Sequence, residues 1–155
     1  MVVGCEHIGI QVCNVERSVR FYTEHLGFKR VLRASRSEPY VQKVVGYFPD
    51  VTLEIAELEI PGTEVRLEIV EYRGVAGTPV DPATANPGTM HFSLFVKDLD
   101  AMYARMRARG VEFVSAVQTS TAGPLTGGKV VYLKDPDGIR VELVETRKRS
   151  DGAAL

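Results

Sequence analysis

Cys5-Glu6-His7-Ile8-Gly9-Ile10-Gln11-Val12 and Thr89-Met90-His91-Phe92-Ser93-Leu94-Phe95-Val96 open two stretches of this chain in the same way. Each alternates apolar and polar residues, carries a histidine near its start, and is followed by a polar break. A helix-period segment closed by glycine comes next. Two later runs also match: Arg66-Leu67-Glu68-Ile69-Val70 and Arg140-Val141-Glu142-Leu143-Val144 each set a carboxylate inside an apolar strand. A duplicated module that twice brings one His and one Glu to equivalent positions predicts a four-ligand metal site at His7, Glu68, His91 and Glu142.

Working outward, Asn14 is a candidate N-cap, Val15, Val19, Tyr22 and Leu26 recur at helical spacing, and Gly27 stands where a left-handed C-terminal residue belongs. A strand is expected at 28 to 33 and a short helix from Pro39 to Gly46. Strands are expected at 51 to 60 and 64 to 72, joined by the turn Pro61-Gly62-Thr63. Residues 73 to 88 hold Pro79, Pro82, Pro87, Gly74, Gly77 and Gly88 without periodicity and read as a linker. The second half repeats the programme: strand from His91, cap at Asp98, helical stripe Leu99, Met102, Tyr103 and Met106, then Gly110. Strands follow at 111 to 114, 129 to 134 and 139 to 145, the last two joined by the turn Asp135-Pro136-Asp137-Gly138.

His7 precedes Glu68 by 61 positions and His91 precedes Glu142 by 51, so the first half carries about ten extra residues, assigned to 34 to 50. The expected architecture is α+β: two β-α-β-β-β modules, about 4 to 72 and 89 to 145, forming a single domain. Each module alone exposes an open sheet face. The two are expected to pair into an open barrel around a concave cleft.

With 155 residues, 45% hydrophobic and 25% charged, the composition is that of an ordinary soluble domain. The net charge of −1 provides no global field for nucleic acid or an anionic membrane surface, and the Arg-Lys-Arg cluster at 147 to 149 reads as a solvated tail. No apolar run approaches the roughly 18 to 20 residues of a membrane span. The N-terminus lacks a signal-peptide pattern. Cys5 and Cys13 lie on one expected strand, too far apart at ~3.3 Å per residue to bridge. A reducing, cytoplasmic setting is expected.

Alternation puts His7 opposite Ile8 and Ile10, and His91 opposite Phe92 and Leu94. Glu68 and Glu142 sit between apolar neighbours. A carboxylate so placed is costly to bury alone, and a divalent ion supplies a partner. Two imidazoles and two carboxylates suit Zn, Ni, Co, Mn or Fe(II). A single strand histidine or glutamate is more often a packing or solvent-face residue. Glu54, Glu57, Glu59, Glu71 and Glu145 are read as solvent-facing, and His25 as a partner of a helix C-terminus.

The chain resembles the vicinal oxygen chelate superfamily of glyoxalases, bleomycin resistance proteins and extradiol dioxygenases. The resemblance lies in His7-Ile8-Gly9-Ile10, in Arg17 to Tyr22 with Leu26-Gly27-Phe28, and in Leu67 to Tyr72. It continues in His91-Phe92 and in Asp135 to Leu143. It implies a glyoxalase-like open barrel, the metal ligands His7, Glu68, His91 and Glu142, and a homodimer. It specifies the superfamily strongly and the reaction weakly.

Three chemistries follow. The first is a metal-dependent lyase, isomerase or epimerase acting on a small vicinal-oxygen substrate: a 2-oxo acid, thioester or hemithioacetal. The metal would act as Lewis acid toward an enediolate, and Glu68 or Glu142 would move the proton. The second is a non-haem Fe(II) ring-cleaving dioxygenase using His7, His91 and Glu142, against which the fourth ligand Glu68 argues. The third is an antibiotic-binding resistance protein, against which an intact ligand set argues. Tyr40, Tyr47, Phe48, Arg33 and Arg36 are candidate cleft walls, with ordinary packing the alternative for each aromatic. Gln11, Ser93, Cys5 and Cys13 share the ligands' strand faces.

Overall fold

A computed structural model describes residues 1–46 and 50–147. The chain divides into two compact units, Met1–Pro79 and Val80–Leu155. The first contains β1 (His7–Gln11), α1 (Val15–Leu26), β2 (Lys29–Arg36), α2 (Pro39–Val45), β3 (Thr52–Glu59) and β4 (Arg66–Arg73). The second contains β5 (His91–Phe95), α3 (Leu99–Ala108), β6 (Gln118–Thr119), β7 (Lys129–Lys134) and β8 (Arg140–Glu145). Each unit is a four-stranded mixed sheet, ordered β1-β4-β3-β2 and β5-β8-β7-β6. This is the α+β class expected, one module repeated.

In both sheets the first and last strands pair parallel, β1 with β4 and β5 with β8, while the remaining pairs are antiparallel. The helix makes this possible. A chain leaving β1 must cross one sheet face before it can return beside that strand in the same direction. Asn14 accepts a hydrogen bond from the Arg17 amide at 2.8 Å to start α1, and Gly27, with φ 73°, ends it. In the second unit Asp98 caps α3 through the Ala101 amide.

Alternation then sorts the side chains. On the helix side of the first sheet, Ile10, Ala56, Leu58, Leu67 and Ile69 are buried with Val15, Val19 and Tyr22 of α1, which packs on β3 and β4. In the second, Val131, Leu133, Val141 and Leu143 are buried with Leu99 and Met106 of α3. Full burial of each such side chain is worth about 1.5–3 kcal/mol, which identifies this layer as the stabilising one.

The extra length of the first unit takes the form of α2. Its Val41 is buried in a cluster with Val51, Leu53 and Val70, and Val45, Ile55, Tyr72 and Val75 pack around them. In the strand register Leu53 faces Tyr72 and Ile55 faces Val70, so this cluster lies on the sheet face opposite α1. That is the face that carries His7 and Glu68.

Three local expectations need correction. Residues 111 to 114 form no full strand, only the bridge Phe113 to Leu133, with the Val114 amide donating to the Tyr132 carbonyl and the Lys134 amide to the Glu112 carbonyl. The fourth strand of that unit is instead β6. Cys5 and Cys13 flank β1 rather than lie on it, and both are exposed and unbridged.

The third correction concerns Glu71 and Glu145, which do not face solvent. Each stands three positions after Glu68 or Glu142, an odd step that turns it to the helix side. Glu71 accepts the Val15 amide at 3.1 Å, and Glu145 accepts the Leu99 amide at 3.0 Å. Both satisfy an orphan N–H at a helix start and oppose the positive end of its dipole. Arg73 and the Val15 amide hold the Glu71 carboxyl below its ordinary range. The ionised form is therefore favoured by folding, so its contribution is present above the unfolded-state pKa and lost as pH falls through the folded one. Glu71→Gln is expected to cost about 1 kcal/mol at neutral pH. In urea titrations the gap from wild type should close as the solution is acidified below the ordinary glutamate range, and a gap constant with pH would refute the carboxylate's role. Glu54, also expected at the surface, is nearly buried between Arg33 and Arg73 and accepts from Ser35.

Candidate active site

The register explains why each sheet brings a histidine and a glutamate together. In the parallel pair β1–β4, His7 lies across from Arg66 and Gly9 across from Glu68. In β5–β8, His91 lies across from Arg140 and Ser93 across from Glu142. Each histidine thus stands one same-face step from the position facing its glutamate, with the same offset in both units.

In the first unit His7 Nε2 is 3.5 Å from Glu68 Oε2. The His7 Nδ1 meets the Glu6 carboxylate, leaving Nε2 directed to Glu68. The Glu6 contact, with Glu68 and Glu57 adding their charges, raises the imidazole pKa against the opposing effect of burial. Between them stands Gly9. A Cβ there would come 3.6 Å from Glu68 Oε2 and 3.9 Å from His7 Cδ2, so glycine leaves the space between the donors open. Beside Glu68 across β3 is Glu57, which pairs with Arg66.

In the second unit the third member is a phenol. Tyr132 faces Glu142 across β7–β8, and its Oη lies 3.2 Å from His91 Nε2 with the rings edge to face. Burial first, and then the Glu142 charge and its hydrogen bond, push the Tyr132 phenol above its ordinary pKa. The side chain therefore remains a neutral donor at neutral pH. Sequence reading missed Tyr132. The available signal was its place ten residues before Glu142 across the Asp135–Gly138 turn, a spacing that puts both on one face of a hairpin.

Each unit thus places a histidine and a glutamate on one sheet face, in contact in the first unit and each against Tyr132 in the second. Among the described residues there is no group of three or more His, Cys, Asp or Glu that could hold an ion. The donor chemistry of the first pair fits a divalent metal: an imidazole nitrogen beside a carboxylate oxygen, with Gly9 keeping the gap clear and Glu6 fixing the imidazole through its other nitrogen.

Other candidates fall elsewhere. Arg33 belongs to the helix side, donating to Glu16 at 2.8 Å and pairing with Glu54 at 2.7 Å. Arg36 pairs with Glu38, and Tyr40 is exposed on α2. Tyr47 and Phe48 lie outside the described residues, as do Lys148 and Arg149 of the basic tail. His25 sits in the last turn of α1 against Phe21. Gln11 is an exposed residue of β1 on the His7 face.

Residues 4–143 match the family profile described as the Glyoxalase/Bleomycin resistance protein/Dioxygenase superfamily. The chain belongs to this superfamily. A relative named 2-epi-5-epi-valiolone epimerase, from Actinomyces sp, is 28% identical over 92% of this chain and 79% of its own. One named lactoylglutathione lyase, from Salmonella typhimurium, is 29% identical over 94% of this chain and 95% of its own. Among solved structures, a glyoxalase family protein from Bacillus cereus matches with a TM-score of 0.79 at 22% identity, covering 94% and 95% of the two chains. The superfamily fold is therefore present over nearly the whole chain, and the relatives are lyase and epimerase enzymes. Among the described residues no helix is long and apolar enough to cross a membrane.

Proposed function

We propose that this protein is a metal-dependent lyase, isomerase or epimerase of the glyoxalase type. His7, Glu68, His91 and Glu142 would hold a divalent ion, which supplies Lewis-acid polarisation of two neighbouring substrate oxygens when bound. The observation that carries this reading is the repeated offset of histidine and glutamate in two parallel strand pairs. Independent packing demands do not call for the same two side chains at the same rung twice. The relatives named lyase and epimerase support the reaction class. A homodimer acting on a small molecule accords with it.

The chain's own groups account for proton movement. A carbon acid beside a carbonyl needs a base within hydrogen-bond reach, and a carboxylate positioned there contributes about 10²–10⁴-fold. Glu68 and Glu142 are the two candidates. Tyr132, held neutral beside Glu142, can donate a hydrogen bond to a substrate oxygen while His91 orients it. Val70 and Leu53, packed with Val41 of α2, form an apolar boundary on the sheet face that carries Glu68.

The test is metal content together with exchange chemistry. Protein purified without added metal should take up Ni, Co, Zn, Mn or Fe, and the loaded protein should exchange solvent deuterium into a small carbonyl acid or thioester. Glu68→Ala should lower metal affinity by at least the ~10-fold typical of losing an outer-sphere partner. An unchanged affinity removes Glu68 from the site. Iron with oxygen consumption and no deuterium exchange would replace this reading with ring cleavage.

A further inference from the structure

The two units are internal controls for each other, and they differ at two charged positions. Arg66 and Arg140 occupy the same rung, each across from the histidine of its sheet. Arg66 pairs with Glu57 on the adjoining strand. The residue in the place of Glu57 is Tyr132, as each is the antiparallel partner of its sheet's glutamate. Glu59, across from Arg66, is likewise replaced by Lys134, across from Arg140. The second unit has therefore exchanged two carboxylates for a phenol and an ammonium, and Lys134 is itself engaged by Glu112. Arg140 keeps no ion pair among the described residues, and its buried Nη1 has no hydrogen-bond partner. A buried guanidinium nitrogen with an empty donor is costly, and such groups are rarely left so without a ligand to take the proton.

We infer that Arg140 is the anion subsite of this active site, binding a substrate carboxylate beside His91, Tyr132 and Glu142. The inference rests on the proposed metal-dependent reading and narrows its substrate. A small acid whose carboxylate adjoins a second oxygen-bearing carbon fits. A thioester or hemithioacetal uncharged at that position does not. Carboxylate is favoured over phosphate on local charge: one guanidinium, with the neighbouring lysine committed and Glu142 one step away, matches the single charge of one carboxylate group, a second such group on the same molecule being left for the metal. The planar fork of arginine also suits two carboxylate oxygens.

The experiment uses oxalate, which combines neighbouring oxygens with carboxylate charge, and inorganic phosphate as the competing anion. Each is titrated calorimetrically into the full chain, metal-free and Ni²⁺-loaded, for wild type, Arg140→Gln and Arg140→Lys. Oxalate is expected to bind saturably to wild type, at least tenfold more weakly to Arg140→Gln, and with intermediate affinity to Arg140→Lys. Ni²⁺ affinity should be unchanged in both variants. Equal oxalate affinity in Arg140→Gln, no saturable oxalate binding to either form, or tighter binding of phosphate would overturn the assignment. So would a parallel tenfold loss of Ni²⁺ affinity in Arg140→Gln, which would make the arginine a structural support. Should Arg140→Gln fail to fold, Arg140→Lys with wild-type oxalate affinity overturns it equally. If wild type takes up no Ni²⁺ but metal-free oxalate binding still depends on Arg140, the subsite stands and the metal-dependent reading falls.

Discussion

Glu142→Ala is expected to reduce turnover by about 10²–10⁴-fold, the range for loss of a positioned acid–base group, together with a drop in metal affinity. The physical basis is the crowding of functions on one carboxylate. Glu142 hydrogen-bonds Tyr132, lies across from Ser93, and stands one same-face step along β8 from the rung where Arg140 faces His91. Removing it leaves the phenol and the guanidinium without their neighbouring negative charge. Glu142→Gln preserves the shape but cannot accept a proton, so comparing the two variants separates positioning from chemistry. Calorimetric metal titration and steady-state turnover on the same preparations provide the check. If Glu142→Gln retains wild-type turnover, Glu142 is a ligand at most, and the base must be sought at Glu68.

The largest expected effect on stability lies far from these groups. Tyr22 is fully buried in α1, edge-to-face with Phe21 at 5.3 Å and stacked with Phe28 at 5.6 Å. Its carbonyl also accepts the amides that close the helix at Gly27 and Phe28. Tyr22→Ala removes an aromatic ring from a site whose walls are α1 and the strands it covers, so the cavity collapses only in part. A loss of about 3–5 kcal/mol is expected. Against a typical total of about 5–15 kcal/mol this would leave the fold marginal or unfolded at working temperature. Urea denaturation followed by far-ultraviolet circular dichroism measures it, and a loss under 1 kcal/mol would mean the site repacks. The backbone cap should survive, since it depends on the carbonyl and on Gly27 rather than on the ring.

The helix boundaries were readable because local chemistry sets them: Asn14 and Gly27 act on their nearest neighbours in the chain. The pairing of His7 with Glu68 and of His91 with Glu142 on shared faces was also readable, since alternation has a period of two and the motif occurs twice. The roles of Glu71 and Glu145 were not. They looked like any strand glutamate, and only the arrival of a helix start 56 and 46 residues away in sequence gave them partners. Arg33 failed as a cleft wall for the same reason, because a β-bulge between Arg30 and Leu32 shifts the register that decides its face.

The amino-acid sequence by itself determined the α+β repeat, the helix caps, and the strand face on which each histidine and glutamate sits. These follow from periodicity and from contacts a few residues long. Only the tertiary structure decided which charges are spent and which are left over: Arg66 neutralised by Glu57, Arg140 beside a phenol, and the carboxylates of Glu71 and Glu145 turned onto helix amides. The reason is that a charge's state depends on what lies across the strand and behind the sheet. That neighbourhood is assembled from residues tens of positions apart, where local patterning carries no information.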